Sequence, residues 1–177
     1  GIRAQLLIVD SKGYIITSKK NIFDTGATFK HITGDWIFDG EFITQNKKHE
    51  SIKLFMIFDV YYSSGFSTQP YTYPWLSKKG ESRSNIIHTF KTDVDMVYSG
   101  DYTSSNIRIG FKQYLEGPHK LTKKKNGDYG NIMSMFKNTK RILDIEEKTG
   151  GFEYYTDGLI FLPMFLSVKG MDEGDIV

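Results

Sequence analysis

Three short stretches of this chain carry residue types suited to chemistry on phosphates. Asp39-Gly40-Glu41 follows Trp36-Ile37-Phe38 and precedes Phe42-Ile43. Thr156-Asp157-Gly158 leads into Leu159-Ile160-Phe161. Between them lies the apolar run Leu54-Phe55-Met56-Ile57-Phe58-Asp59-Val60-Tyr61-Tyr62. Each Asp-Gly motif is expected to set a carboxylate at the mouth of a hydrophobic strand. Carboxylates and an aromatic ring presented to one cleft predict a site for a magnesium nucleotide. Magnesium takes one or two protein carboxylates and completes its shell with waters and phosphates. A ring can stack the base, worth about 1–3 kcal/mol.

The elements that must position these residues follow from hydrophobic periodicity. Residues 4–9 read as a strand, an Asp10-Ser11-Lys12-Gly13 turn follows, and residues 14–17 return as its hairpin partner. Further strands are expected over residues 38–44 and 53–62. On the second of these, Met56 and Phe58 share one face, and Ile57 and Asp59 the other. The Ser-, Gly-, Pro- and Tyr-rich residues 63–79 have loop chemistry. Ser82 and Ser84 offer N-caps for a helix over residues 85–97, with Ile86, Phe90, Val94 and Val97 at helical spacing. Residues 106–114 alternate as a strand, residues 117–130 form a basic loop, and residues 131–147 form an amphipathic helix stopped by Gly150-Gly151. A last strand is expected within residues 152–163. This is an α+β pattern of antiparallel strands with covering helices.

Composition narrows the function classes. At 177 residues the chain suits one domain, and 39% hydrophobic content supplies a core. Cysteine is absent, which excludes disulfides, thiolate zinc sites and cysteine nucleophiles. A net charge of +2 makes no demand for nucleic acid by itself. No apolar run approaches membrane-spanning length, and no secretory leader opens the chain, so the expected setting is intracellular and reducing. The chain starts without Met on Gly1-Ile2-Arg3 and closes on Gly174-Asp175-Ile176-Val177. Both ends read as cut from something longer, giving one domain over residues 1–177, truncated at each end.

Taken in order, the motifs resemble those of the covalent nucleotidyltransferase superfamily, which includes mRNA capping enzymes and the ATP- and NAD-dependent ligases. That superfamily carries K-x-D-G-x-R, then D-G-E, an aromatic-bearing strand, a carboxylate-Gly strand and a K-x-K strand. Asp39-Gly40-Glu41 resembles the second motif, Phe58-Asp59-Val60-Tyr61-Tyr62 the third, and Asp157-Gly158-Leu159-Ile160-Phe161 the fourth. Gly1-Ile2-Arg3 resembles the tail of the first, which would place the nucleophilic lysine three residues ahead of Gly1. The fifth is not matched, since Lys169 stands alone. Asp-Gly at the fourth motif, the Phe-Asp-Val-Tyr-Tyr strand and Thr25-Gly26-Ala27-Thr28-Phe29 look like the RNA guanylyltransferases of the large multifunctional capping enzymes of cytoplasmic DNA viruses.

The resemblance implies an antiparallel-sheet nucleotidyltransferase core of the DNA-ligase type (ATP-grasp-like), here a partial domain. It implies GTP and Mg2+ (or Mn2+), transfer of GMP through a lysine–GMP intermediate to the 5′ diphosphate end of RNA, and triphosphatase and methyltransferase domains on the same polypeptide. Host cytoplasm or virion would be the location. Without the lysine and the last motif, this chain alone is expected to be inactive. Glu41 is implied near the metal or ribose, Asp157 near the metal at the α-phosphate, and Arg3 at ribose or phosphate. Gly1, Lys53 and Gly158 would join the nucleotide site, and Phe58 would stack the base.

Each role has a plainer rival. Glu41 and Asp157 could cap neighbouring turns, Phe58 could be core, and Arg3 could be a solvated arginine. Asp39 is expected to support its turn. Arg108 and Lys112 lie on a strand near the motifs, and Lys123, Lys124 and Lys125 belong to the densest basic stretch. All five are candidate RNA contacts through salt-dependent phosphate binding, although no aromatic interleaves the lysine run and a solvated basic loop is the favoured reading of it. Two further readings remain: an ATP-dependent ligase adenylation domain, and a non-catalytic RNA-binding remnant of the fold.

Overall fold

A computed structural model describes residues 1–69, 71, 82–99, 106–112, 114, 132–148 and 151–160. By compactness the chain divides into residues 1–112 and residues 113–161. Each unit is described by itself.

The first unit grows from a hairpin. Strands β1 (Ile2–Val9) and β2 (Lys12–Thr17) pair antiparallel with Val9 opposite Lys12. The turn is therefore only Asp10-Ser11, both at positive φ (48° and 63°). Two left-handed residues match the twist of the flanking strands, and Asp tolerates that conformation better than most. Strand β3 (Ile22–Lys30) follows β2 and was not expected as a strand. Gly26, at φ 70°, lies where the register with β2 slips, between Asp24 opposite Tyr14 and Thr28 opposite Lys12, and Thr25 is a buried polar residue.

Strands β4 (Trp36–Gln45) and β5 (Ser51–Ser63) form the centre, with β4 between β1 and β5. The two-residue β6 (Phe66–Ser67) folds back and pairs antiparallel with the end of β5. Helix α1 (Arg83–Asp93) starts at Ser82, whose hydroxyl accepts the Asn85 amide at 3.2 Å. It ends at Val94, earlier than expected. Residues 95–98 leave the helix as β7 (Asp95–Tyr98) and pair with β3. The apparent helical spacing of Val94 and Val97 gives way to strand alternation, and Val97 is 43% exposed. Finally β8 (Arg108–Phe111) runs parallel to the start of β5.

The sheet order is β6-β5-β4-β1-β2-β3-β7, with β8 on β5. The sheet curls: the Ile107 amide, just ahead of β8, donates to Thr25 O of β3 at 3.0 Å. The enclosed core holds Leu6, Ile8, Ile15, Phe29, Phe38, Phe55, Ile57 and Val60. Helix α1 closes it with Phe90, whose ring centroid lies 4.5 Å from that of Phe38 and 5.1 Å from that of Trp36. Truncating so central a ring typically costs about 3–5 kcal/mol.

In the second unit the described element is helix α2 (Ile132–Lys148), close to its expected bounds. Residues 152–160 carry no strand, contrary to expectation. Residues 161–163 of that segment and Lys169 lie outside the described residues. Sheet and helices together make an α+β chain dominated by a curled, largely antiparallel sheet. Among the described residues no helix is long and apolar enough to cross a membrane.

Candidate functional site

The Asp39-Gly40-Glu41 motif sits in the middle of β4, not at a strand mouth. Phe38 and Phe42 point into the core on either side of Gly40. A Cβ on Gly40 would lie 2.4 Å from Phe55 Cζ and 2.6 Å from Met56 O. The glycine is thus required by the ring packed against its backbone, a purely steric demand.

Register then assembles the site. Arg3 on β1 is the partner of Glu41 on β4. One step diagonally, the Arg3 guanidinium grips Asp39: Nη2 to Oδ2 is 2.7 Å and Nε to Oδ2 is 3.2 Å. The two residues are 36 positions apart in sequence. Asp39 is not a turn residue; its side chain is only 2% exposed, whereas that of Arg3 is 72% exposed. Tyr61 of β5 completes the cluster. Its hydroxyl donates to Asp39 Oδ2 at 2.5 Å and accepts from Arg3 Nη2 at 3.1 Å. Burial, followed by the hydrogen bond to Asp39, pushes the Tyr61 hydroxyl up to about 12. Asp39, by hydrogen bond and charge, also raises the Arg3 pKa.

Two steps along β4 lies a second cluster. Lys112, just beyond β8, donates from Nζ to Glu41 Oε2 at 2.9 Å. The first nitrogen of the chain lies 3.4 Å from Glu41 Oε1. Partial burial pushes the Glu41 carboxyl up, but the hydrogen bond and charge of Lys112, together with the first nitrogen nearby, hold the pKa below the ordinary value. Lys112 was a candidate RNA contact; its ammonium is engaged with Glu41.

A third pair involves Asp59, the register partner of Asp39 on β5. Arg83 Nε donates to Asp59 Oδ1 at 2.8 Å, and Arg83 Nη1 also donates to Tyr71 O. Both side chains are largely buried. Burial raises the Asp59 pKa despite the arginine.

Phe58 and Tyr61 fall at two shifts of the β4–β5 register, since Gly40 pairs with Ile57 but Asp39 with Asp59, and Phe38 pairs with Val60 but Ile37 with Tyr62. Such bulges re-aim side chains. Ile57 and Val60, three residues apart, are consequently both in the core, and the expected even alternation along β5 fails. Phe58 is half-buried and Lys53 is exposed on the same strand. Arg108 is exposed on β8, opposite Leu54.

The first unit thus brings Gly1, Arg3, Glu41 and Lys112 together with Asp39 and Tyr61. Asp157 and Gly158 belong to the second unit, where both are exposed and Gly158 has φ 138°. Lys123, Lys124 and Lys125 lie outside the described residues. Sequence reasoning missed Tyr61, Asp59 and Arg83 as site-forming groups. Tyr61 had a signal, since it ends the Phe58-Asp59-Val60-Tyr61 run; Arg83 had none beyond following a capping serine.

Chemically, Glu41 is a partly exposed oxygen donor of the kind magnesium prefers. Among the described residues, no group of three or more potential ligands is gathered for a metal. No protein family, curated protein or solved structure matches the chain.

Proposed function

We propose that the chain is the nucleotide-binding core of a GTP-dependent mRNA guanylyltransferase. A lysine amine attacks the α-phosphorus of GTP, pyrophosphate leaves, and the lysine gives up a proton to become a phosphoramidate. An oxygen of the RNA 5′ diphosphate then takes the GMP and the lysine is released. Arg3 meets ribose or phosphate, Glu41 holds ribose or cation, Phe58 stacks the base, and Lys53 and Lys112 add positive charge. A magnesium or manganese ion arriving with the nucleotide would neutralise phosphate charge, with Glu41 as a carboxylate ligand.

One observation carries this reading. The register of β1 on β4 makes Arg3 and Glu41 partners, so the Gly-x-Arg and Asp-Gly-Glu motifs converge in space. The strand bearing Phe58 lies beside them. Phosphoryl transfer needs little more from a protein than positioned cations and carboxylates in a fixed frame.

The test is label transfer on the full-length natural protein with magnesium and α-labelled GTP or ATP, run on a denaturing gel. A labelled band with GTP alone is expected. A band with ATP alone would move the chain to the ligases. No band from folded protein would overturn nucleotidyl transfer and leave the RNA-binding remnant.

A further inference from the structure

The Arg3 side chain is mostly in solvent, yet its guanidinium is hydrogen-bonded to both Asp39 and Tyr61. A long exposed guanidinium ordinarily samples many rotamers, and single surface ion pairs constrain it weakly. Here its partner is a carboxylate buried on β4, and that carboxylate has a second donor. Tyr61 Oη, Asp39 Oδ2 and Arg3 Nη2 form a closed triangle with sides of 2.5, 2.7 and 3.1 Å. Asp39 Oδ1 additionally accepts the Gly40 amide at 3.1 Å, which fixes the plane of the carboxylate. Tyr61 reaches this point because it stands at a register shift of β5.

We propose that Tyr61 is a positioning residue, whose hydroxyl locks Asp39 and so aims the Arg3 guanidinium at the bound nucleotide. The inference rests on the nucleotidyl-transfer reading for its last step only. The hydroxyl does two things at once. It donates to the carboxylate, which fixes that group against rotation. It accepts from Nη2, which ties the outer edge of the guanidinium to β5. The arginine is thereby held from β4 and β5 while its backbone belongs to β1. An arm tethered at one strand would swing, whereas one tethered at three is preorganised, and preorganised contacts lose less on binding. Tyr61 itself need touch no substrate.

Tyr61→Phe removes the hydroxyl and keeps the ring. In full-length protein with GTP, the variant is expected to raise KM about tenfold and leave kcat within about threefold. A second readout needs no nucleotide. In 15N-labelled protein the Arg3 Nε–Hε resonance, assigned by its loss in Arg3→Lys, should exchange with solvent at least about tenfold faster in the variant, because a bonded proton exchanges slowly. Tyr61→Met serves as a second replacement should the phenylalanine destabilise the sheet. Unchanged KM in a variant alongside normal wild-type labelling overturns the proposal and leaves the reading of the site intact. An unchanged Arg3 resonance overturns it whether or not the protein labels. Absence of labelling in wild type overturns the reading, and with it the nucleotide step of the proposal, while the resonance still decides whether Tyr61 aims Arg3.

Discussion

Asp39 and Asp59 are register partners across β4 and β5, and each carboxylate is bound by an arginine from a different element. Like charges at paired strand positions repel, and Asp39 does add to the upward push on the Asp59 carboxyl. Arg3 from β1 and Arg83 from α1 offset that repulsion separately. The charge balance therefore links both neighbours of the central strand pair to one point.

Removing Arg83 should unbalance it. Arg83→Met leaves the Asp59 carboxylate buried without this partner, and breaking such pairs costs about 3–5 kcal/mol. Asp59→Asn in the same background should recover a large part of the loss. Urea denaturation of the single and double variants reads both. A single variant within about 0.5 kcal/mol of wild type, the range of an ordinary surface substitution, would refute the pairing.

Gly40→Ala should be destabilising for reasons unconnected with catalysis. The added methyl meets the Phe55 ring and the Met56 carbonyl at distances no Cβ tolerates. Overpacking of this kind costs about 1–3 kcal/mol. Pairing the change with Phe55→Leu should relieve part of it. If Gly40→Ala melts like wild type, the glycine is not there for packing.

Alkaline pH should weaken the first unit through Tyr61. Its folded pKa stands near 12 against an ordinary 10.0. A raised folded value means that the native state holds its proton more tightly than the unfolded chain does. The stabilisation is complete below pH 10 and is lost as pH rises towards 12. Tyr61→Phe should flatten stability over that window relative to wild type. Identical slopes in both proteins would contradict the bond to Asp39.

Lys112→Met should raise the Glu41 pKa. Burial pushes that carboxyl up, and Lys112 is the chief influence holding it below 4.5. In wild type the depressed value contributes stability above pH 4.5 that fades as acid protonates the group. In the variant the side-chain carboxyl carbon should titrate at higher pH by NMR. An unmoved titration would show that the ion pair does not persist in solution.

Much of this frame was legible in the sequence. The β1–β2 hairpin, β4, β5, the Ser82 cap and α2 all follow from alternation, capping and helical stripes. Strand β3 was hidden by Gly26 and by threonines that solve a local hydrogen-bonding problem: Thr25 Oγ1 donates to Gly13 O while accepting from the Ala27 amide. Strand β7 was hidden because Val94 and Val97 fit a helix as well as a strand, and only pairing with β3 decides between them. In the site, Arg3 and Glu41 were each singled out, but their pairing comes from the β1–β4 register, which the motifs do not state. The role of Tyr61 was not legible, because it depends on register shifts at Phe58 and Tyr61 that no residue pattern announces. Arg83 reaches Asp59 across a separation of 24 residues, a long-range contact that local patterns do not encode.

The parallel pairing of β8 with β5 also bears on how the chain is made. The residues that finish the outer edge of β5 are synthesised long after β5 itself. Until Phe111 has left the ribosome, the amides and carbonyls beside Phe55 and Ile57 have no partner on that side. An unfinished, strongly apolar edge invites pairing with another nascent chain. Non-local closure of this kind is also slow. Expression of fragments ending before residue 108 should therefore yield aggregates, with β8 the strand whose pairing closes that edge.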